Sequence, residues 1–203
     1  MQKVLLINGS PNVAGCTFTA LSEVAKALHE DGLETEIFHI GTKPVHGCVA
    51  CGKCWEIQRC VQDGDPANAI LHKMRAADGV VVGSPVYYAG PNGALCALLD
   101  RVFFANGGTF HGKPAACVVS CRRSGASAAY DRLNKYFSIN RMPIVTSQYW
   151  NNVHGNEPEE VMKDLEGLQT MRTLGHQMAW MIDALLGKAL PAAEDRVATN
   201  FIR

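Results

Sequence analysis

Apolar residues recur along this chain with two different periods, and the two alternate. Residues 4–8 (VLLIN) form a short apolar run of the kind buried in a parallel sheet, ending in the turn GSPNVAGC. Residues 17–31 then place Leu21, Val24, Ala25 and Leu28 at helical spacing and close at Gly32. The same reading predicts a strand over 35–40, a helix over 70–77, a strand over 79–84, and a helix over 93–104 whose apolar face includes Leu95, Leu98, Leu99 and Val102. A strand over 115–120, a helix over 127–139, a last strand over 143–150 and a long helix over 165–186 complete the series. Five strands alternating with helices predict an α/β fold on a doubly wound, five-stranded parallel sheet, whose ligands sit beyond the carboxyl ends of the strands. No internal repeat or low-complexity stretch interrupts the pattern, so residues 1–190 are expected to form one domain and 191–203 an extended tail.

Composition bounds the chemistry. At 203 residues, with 47% hydrophobic and 19% charged, the chain can bury a full α/β core. Nineteen basic residues balance nineteen acidic ones, which argues against a nucleic-acid footprint or an electrostatic membrane anchor and favours a small-molecule partner. The N-terminal apolar run is too short for a signal peptide or a membrane span, and a cytoplasmic location is expected. In a reducing cytosol, clustered thiols act as metal ligands or redox groups more often than as structural disulfides. This matters because Cys48, Cys51, Cys54 and Cys60, half of the eight cysteines, fall in GCVACGKCWEIQRC.

Two turns carry the remaining chemistry. After the first strand, Ser10, Asn12, Gly15 and Thr17 surround a strand-to-helix turn, where backbone N–H groups and the positive helix end can hold a phosphate. An ordinary capped helix is the alternative, since Gly, Ser and Thr also cap helices. Neither G-x-G-x-x-G nor G-x-x-x-x-G-K-[ST] is present, which weakens a dinucleotide-binding and an ATPase reading together. After the third strand, GSPVYYAGPNG builds a rigid exposed loop whose backbone can approach a planar ring, with Tyr87 and Tyr88 supplying aromatic contact.

GSP at the first turn, S-P-x-Y-x-x-x-x-N at the third strand and L-L-D-R at 98–101 together resemble the flavodoxin-like NAD(P)H-dependent FMN reductases, over residues 4 to about 186. The resemblance implies that the FMN phosphate lies on Ser10, Asn12, Gly15, Cys16 and Thr17. It places Pro85, Val86, Tyr87 and Tyr88 against the isoalloxazine ring, with Asn92 nearby. A third flavin-facing segment maps onto 120–127, where Ser120 and Gly125 stand and where Arg122 or Arg123 would set positive charge near the ring's N1 and O2 edge. Two solvated loop arginines are the plainer alternative, and Cys121 reads equally as a small buried filler. NAD(P)H is the implied hydride donor and a flavin, quinone or similar molecule the acceptor. Such chemistry requires no catalytic side chain, and no Ser-His-Asp order stands against it; seven scattered histidines include His46, two residues before the first clustered cysteine.

The spacing C-x2-C-x2-C-x5-C is similar to that of the iron-sulfur flavoproteins, a branch of the same fold that carries a 4Fe-4S cluster beside FMN. Cluster-free relatives have a comparable loop ending in an acidic pair like Asp63 and Asp65, so free thiols stay open. A tetrahedral zinc site is a weaker option, because two separated C-x-x-C pairs are its usual form. An acidic flavodoxin-type carrier is disfavoured by the zero net charge, and a metal-binding regulatory module is a third class. The resemblance also implies a homodimer or homotetramer, or a redox-protein partner. Trp55, Trp150 and Trp180 are candidates for an interface, although core packing is the commoner use of tryptophan.

Overall fold

In the computed structural model, which describes residues 1–195 and 197–201, strands and helices alternate as the hydrophobic pattern predicts. The order is β1 (Lys3–Asn8), α1 (Cys16–Glu30), β2 (Glu34–His39), α2 (Cys54–Ile57), α3 (Ala67–Ala76), β3 (Gly79–Tyr87), β4 (Gly90–Pro91), α4 (Gly93–Phe104), β5 (Ala115–Cys121), α5 (Ala126–Ile139), β6 (Asn152–His154), α6 (Pro158–Val161) and α7 (Leu165–Leu185). Five strands pair in parallel in the order β2-β1-β3-β5-β6, and the two-residue β4 adds a sixth, antiparallel to β3. In chain order the parallel strands therefore run 2-1-3-4-5, the flavodoxin-like winding, with its switch point between β1 and β3.

The period-two alternation of the strands divides the core into two layers. Leu5, Ile7, Val80, Val82, Cys117 and Val119 face α3, α4 and α5, whereas Val4, Leu6, Val81, Ala116 and Val118 face α1 and α7. Both faces of the sheet are thus dry, which is why its strands read as continuous apolar runs rather than as alternating ones.

The last strand departs from the sequence reading. Over 143–150 the chain touches β5 only at its start, where Ala115 N donates to Pro143 O and Val145 N to Ala115 O. It then turns outward, because Ser147 Oγ bonds Thr170 O on α7 and Gln148 Nε2 bonds Gln169 Oε1. Pairing resumes as β6, with Val119 opposite Asn152. Trp55, Trp150 and Trp180 are all exposed, so the core-packing alternative falls for each of them. The described residues after α7 lie outside any helix or strand, and residues 196, 202 and 203 of the expected tail fall outside the described part. No helix among the described residues is long and apolar enough to cross a membrane.

Candidate functional site

The loops that leave β1, β3 and β5 meet at the carboxyl edge of the sheet. The first is shaped by Asn8, a fully buried residue that the sequence reading passed over. Its Oδ1 accepts from Ser10 N at 3.1 Å, and its Nδ2 donates to Val13 O at 3.2 Å. Ser10 Oγ in turn accepts from Asn12 N, and Ser10 O bonds His39 Nε2 at 2.8 Å. This closed turn delivers the chain to α1, whose first position, Gly15, supplies no side-chain cap. Among the described residues no side chain caps the first amides of this 15-residue helix, the arrangement that can receive a phosphate. By contrast, Asn92 caps α4 and Asp164 caps α7.

Of the residues expected to bind phosphate, two direct their side chains inward. Thr17 Oγ1 lies 2.8 Å from Ser120 Oγ, joining the start of α1 to the end of β5, and both residues are buried. Cys16 Sγ bonds Gly155 O at 3.6 Å; burial, then the nearby glutamates 157, 160 and 159, push its thiol above the ordinary range. Both residues thus offer a ligand their backbone amides, while Asn12 stays exposed at the turn.

The second loop is a two-residue hairpin. Tyr87 pairs with Gly90, and Tyr88 (φ 50°) and Ala89 (φ 59°) both take the left-handed conformation that a tight hairpin of this hand demands. For a tyrosine this conformation is strained, and Tyr88 is fully exposed at the apex. Ser84 closes the base of the loop by accepting from Asn92 N at 2.9 Å. Asn92 is engaged within the protein: its Oδ1 accepts from Ala94 N and its Nδ2 donates to Gly9 O, both at 2.8 Å. Its role is to lock the hairpin onto the first turn.

The third loop follows β5, which brings Ser120 opposite Pro85. Gly125 takes φ 90°, and a Cβ there would lie 3.0 Å from both Ala89 Cα and Val86 Cγ1. Glycine thus lets the hairpin close against this turn. Arg122 and Arg123 are exposed and line an open cleft of about 330 Å³ with Val86 and Tyr88. Cys121 is buried beside them, which raises its pKa and suits the filler reading.

The cysteine run lies between β2 and α3, next to α4. Cys48, Cys51, Cys54 and Cys60 ring one small cavity of about 20 Å³, bordered by Arg101 and Phe104. Among the described residues no three cysteine, histidine, aspartate or glutamate side chains converge at single-ion distance. Thiolates are the donor type that zinc and iron-sulfur clusters both take, and all four residues border this one cavity. Partial burial, together with the nearness of the other three thiols, raises the Cys54 pKa. Asp65 forms a buried ion pair with Arg101, whereas Asp63 bonds Arg59 at the surface. His46 enters through its carbonyl, which accepts from Arg101 Nη1 at 3.2 Å. Val49, Trp55, Ile57, Val61 and Phe104 leave an apolar surface around the cavity.

Comparison with known proteins agrees with this geometry. The profile of a family described as NADPH-dependent FMN reductase matches residues 2–157. An iron-sulfur flavoprotein of Methanocaldococcus jannaschii is 32% identical over 191 residues, spanning 89% of this chain and 97% of the relative. One from Methanosarcina thermophila is 28% identical over 189 residues, spanning 91% and 97%. Among solved structures, RosB with a bound riboflavin-phosphate intermediate superposes with a TM-score of 0.74 at 13% identity, covering 98% of this chain and 92% of the other. A WrbA-like flavodoxin from Agrobacterium tumefaciens gives 0.64 at 14%, covering 91% and 99%. At such identities the structures speak for the fold alone.

Proposed function

Since the chain belongs to the NADPH-dependent FMN reductase family, and is on that ground an FMN-dependent oxidoreductase, we propose that it takes a hydride from NAD(P)H and delivers the electrons to a flavin, a quinone or a redox protein. The observation that carries the reading is the meeting of three loops at one sheet edge, locked by the Asn92–Gly9 and Thr17–Ser120 contacts. In this reading the uncapped amides of α1 bind the FMN phosphate, and Ser10 and Asn12 shape the turn that presents them. Pro85 to Tyr88 form the wall against which the flavin ring lies, and Arg122 and Arg123 supply positive charge at the rim. When bound, FMN supplies the chemistry that accepts a hydride and releases electrons singly or in pairs. The chain binds, orients and shields; no side chain is asked to move a proton.

The test is whether purified protein, or protein incubated with FMN, holds about one flavin per chain and is bleached anaerobically by NADH or NADPH. Failure to bind FMN sinks the reading, and a flavin indifferent to both nicotinamides reduces the protein to an electron carrier.

The four cysteines around one cavity favour a second element, a 4Fe-4S cluster that passes electrons singly to a protein partner. The name shared by the curated relatives points the same way. Iron and acid-labile sulfide near four per chain after anaerobic purification support it, and their absence after reconstitution refutes it. The apolar collar around the cavity suits burial in a homodimer or homotetramer. Light scattering of the flavin-loaded protein checks that, and a monomer at working concentration counts against it.

A further inference from the structure

Arg101 ties the two ends of the cysteine run to one rigid group. It stands on α4 among Leu98, Leu99 and Val102, and its side chain is fully buried. Its Nε donates to Cys60 Sγ at 3.2 Å, Nη1 to His46 O and to Asp65 Oδ2, and Nη2 to Gln62 O at 2.7 Å. His46 precedes the first cysteine, and Gln62 and Asp65 follow the last, so a single planar fork fixes where the loop leaves and where it returns. Burial opposes the charged guanidinium, but the Asp65 pair and the Cys60 bond outweigh it and keep the group ionised. Asn68 on α3 adds a second clamp, accepting from Cys60 N at 2.9 Å and donating to Cys60 O at 3.0 Å.

The other half of the run is held differently. Cys48 and Cys51 are exposed, and among the described residues their thiols have no recorded hydrogen bond. Arg101 and Asn68 hold the Cys60 side of the cavity that all four cysteines border.

We infer that Arg101 is a positioning residue for this site: it sets Cys60 in place before any metal arrives, and it leaves Cys48 and Cys51 as the exposed, unclamped side. The inference rests on reading the four cysteines as cluster ligands. Its donated N–H also points at the Cys60 sulfur, where a hydrogen bond stabilises the more negative, reduced form of a bound cluster.

Two variants test it. Arg101→Lys keeps a charge without the planar fork. Arg101→Met combined with Asp65→Asn removes both buried charges together, so that no unpaired charge is left, and withdraws the donors to Cys60 Sγ, His46 O and Gln62 O. In iron-free protein, mass-resolved alkylation should label Cys48 and Cys51 about tenfold faster than Cys60, and in either variant Cys60 should approach their rate. Bound FMN at the wild-type level certifies that each variant has folded. After reconstitution with iron and sulfide, the variants should retain less iron or show about a tenfold shift in the reduction equilibrium toward the oxidised cluster, 59 mV for one electron. Cys60 labelled as fast as Cys48 in the unaltered protein overturns the inference, as does an unchanged Cys60 rate in a folded variant. Unaltered protein that takes up no iron refutes the cluster reading instead, while the alkylation rates still decide the role of Arg101.

Discussion

The hydroxyl oxygens of Thr17 and Ser120 lie 2.8 Å apart with both residues buried. Thr17 stands in the first turn of α1 and Ser120 near the end of β5, and their contact spans the sheet edge beneath the candidate flavin site. Thr17→Val or Ser120→Ala strips the remaining hydroxyl of this partner. Each should lower stability by about 1–2 kcal/mol, and the double variant by less than the sum. Denaturant midpoints measure this, and strictly additive losses would show the two hydroxyls to be uncoupled.

Asn92 serves two partners that can be separated by chemistry. Asn92→Asp keeps an oxygen for Ala94 N but loses the donor to Gly9 O, whereas Asn92→Ala loses both. The alanine variant should lose about 1–2 kcal/mol of stability through the uncapped α4. The aspartate variant should keep the cap and still bind FMN about tenfold more weakly, because the hairpin is no longer locked to the first turn. Flavin fluorescence titration beside thermal melting separates the two; equal affinities would remove Asn92 from the site.

Gly125→Ala places a Cβ 3.0 Å from Ala89 and from Val86 in a conformation, φ 90°, that disfavours any side chain. The cost, about 1–3 kcal/mol, should push the hairpin outward and weaken FMN binding at least about tenfold, with little change in helix content. Unaltered affinity would mean that the turn does not set the hairpin's position.

Glu36 on β2 bonds Lys3 at 2.7 Å and Lys73 at 2.5 Å, and these bonds hold its carboxyl below the ordinary value of 4.5. A folded value below the unfolded one gives stabilisation that is complete above the unfolded value and lost as the pH falls through the folded one. The pair is partly exposed, so Glu36→Gln should cost only about 0.5–1 kcal/mol at neutral pH. That difference should shrink as the medium is acidified below 4.5. A difference that persists in acid would assign the loss to packing.

Much of this was legible in the chain. The helix over 93–104 has the bounds the periodicity predicts, and its four named apolar residues are all buried. The parallel winding followed from the alternation of strand and helix alone. Local pattern failed where distant partners decide. The stretch 143–150 has strand-like composition, yet α7 draws Ser147 and Gln148 away from β5. Arg101 stands out in the sequence only as the close of L-L-D-R, because the acceptors that bury it lie far earlier in the chain. Asn8 was similarly hidden: an asparagine ending a strand signals a turn, not which carbonyls its amide will collect.

The stretch from β2 to α3 contributes no strand to the sheet, and its tethers to the domain include one guanidinium from α4 and one asparagine from α3. No pairing between strands runs through it, so a substitution at one of its cysteines leaves the register of every strand as it is.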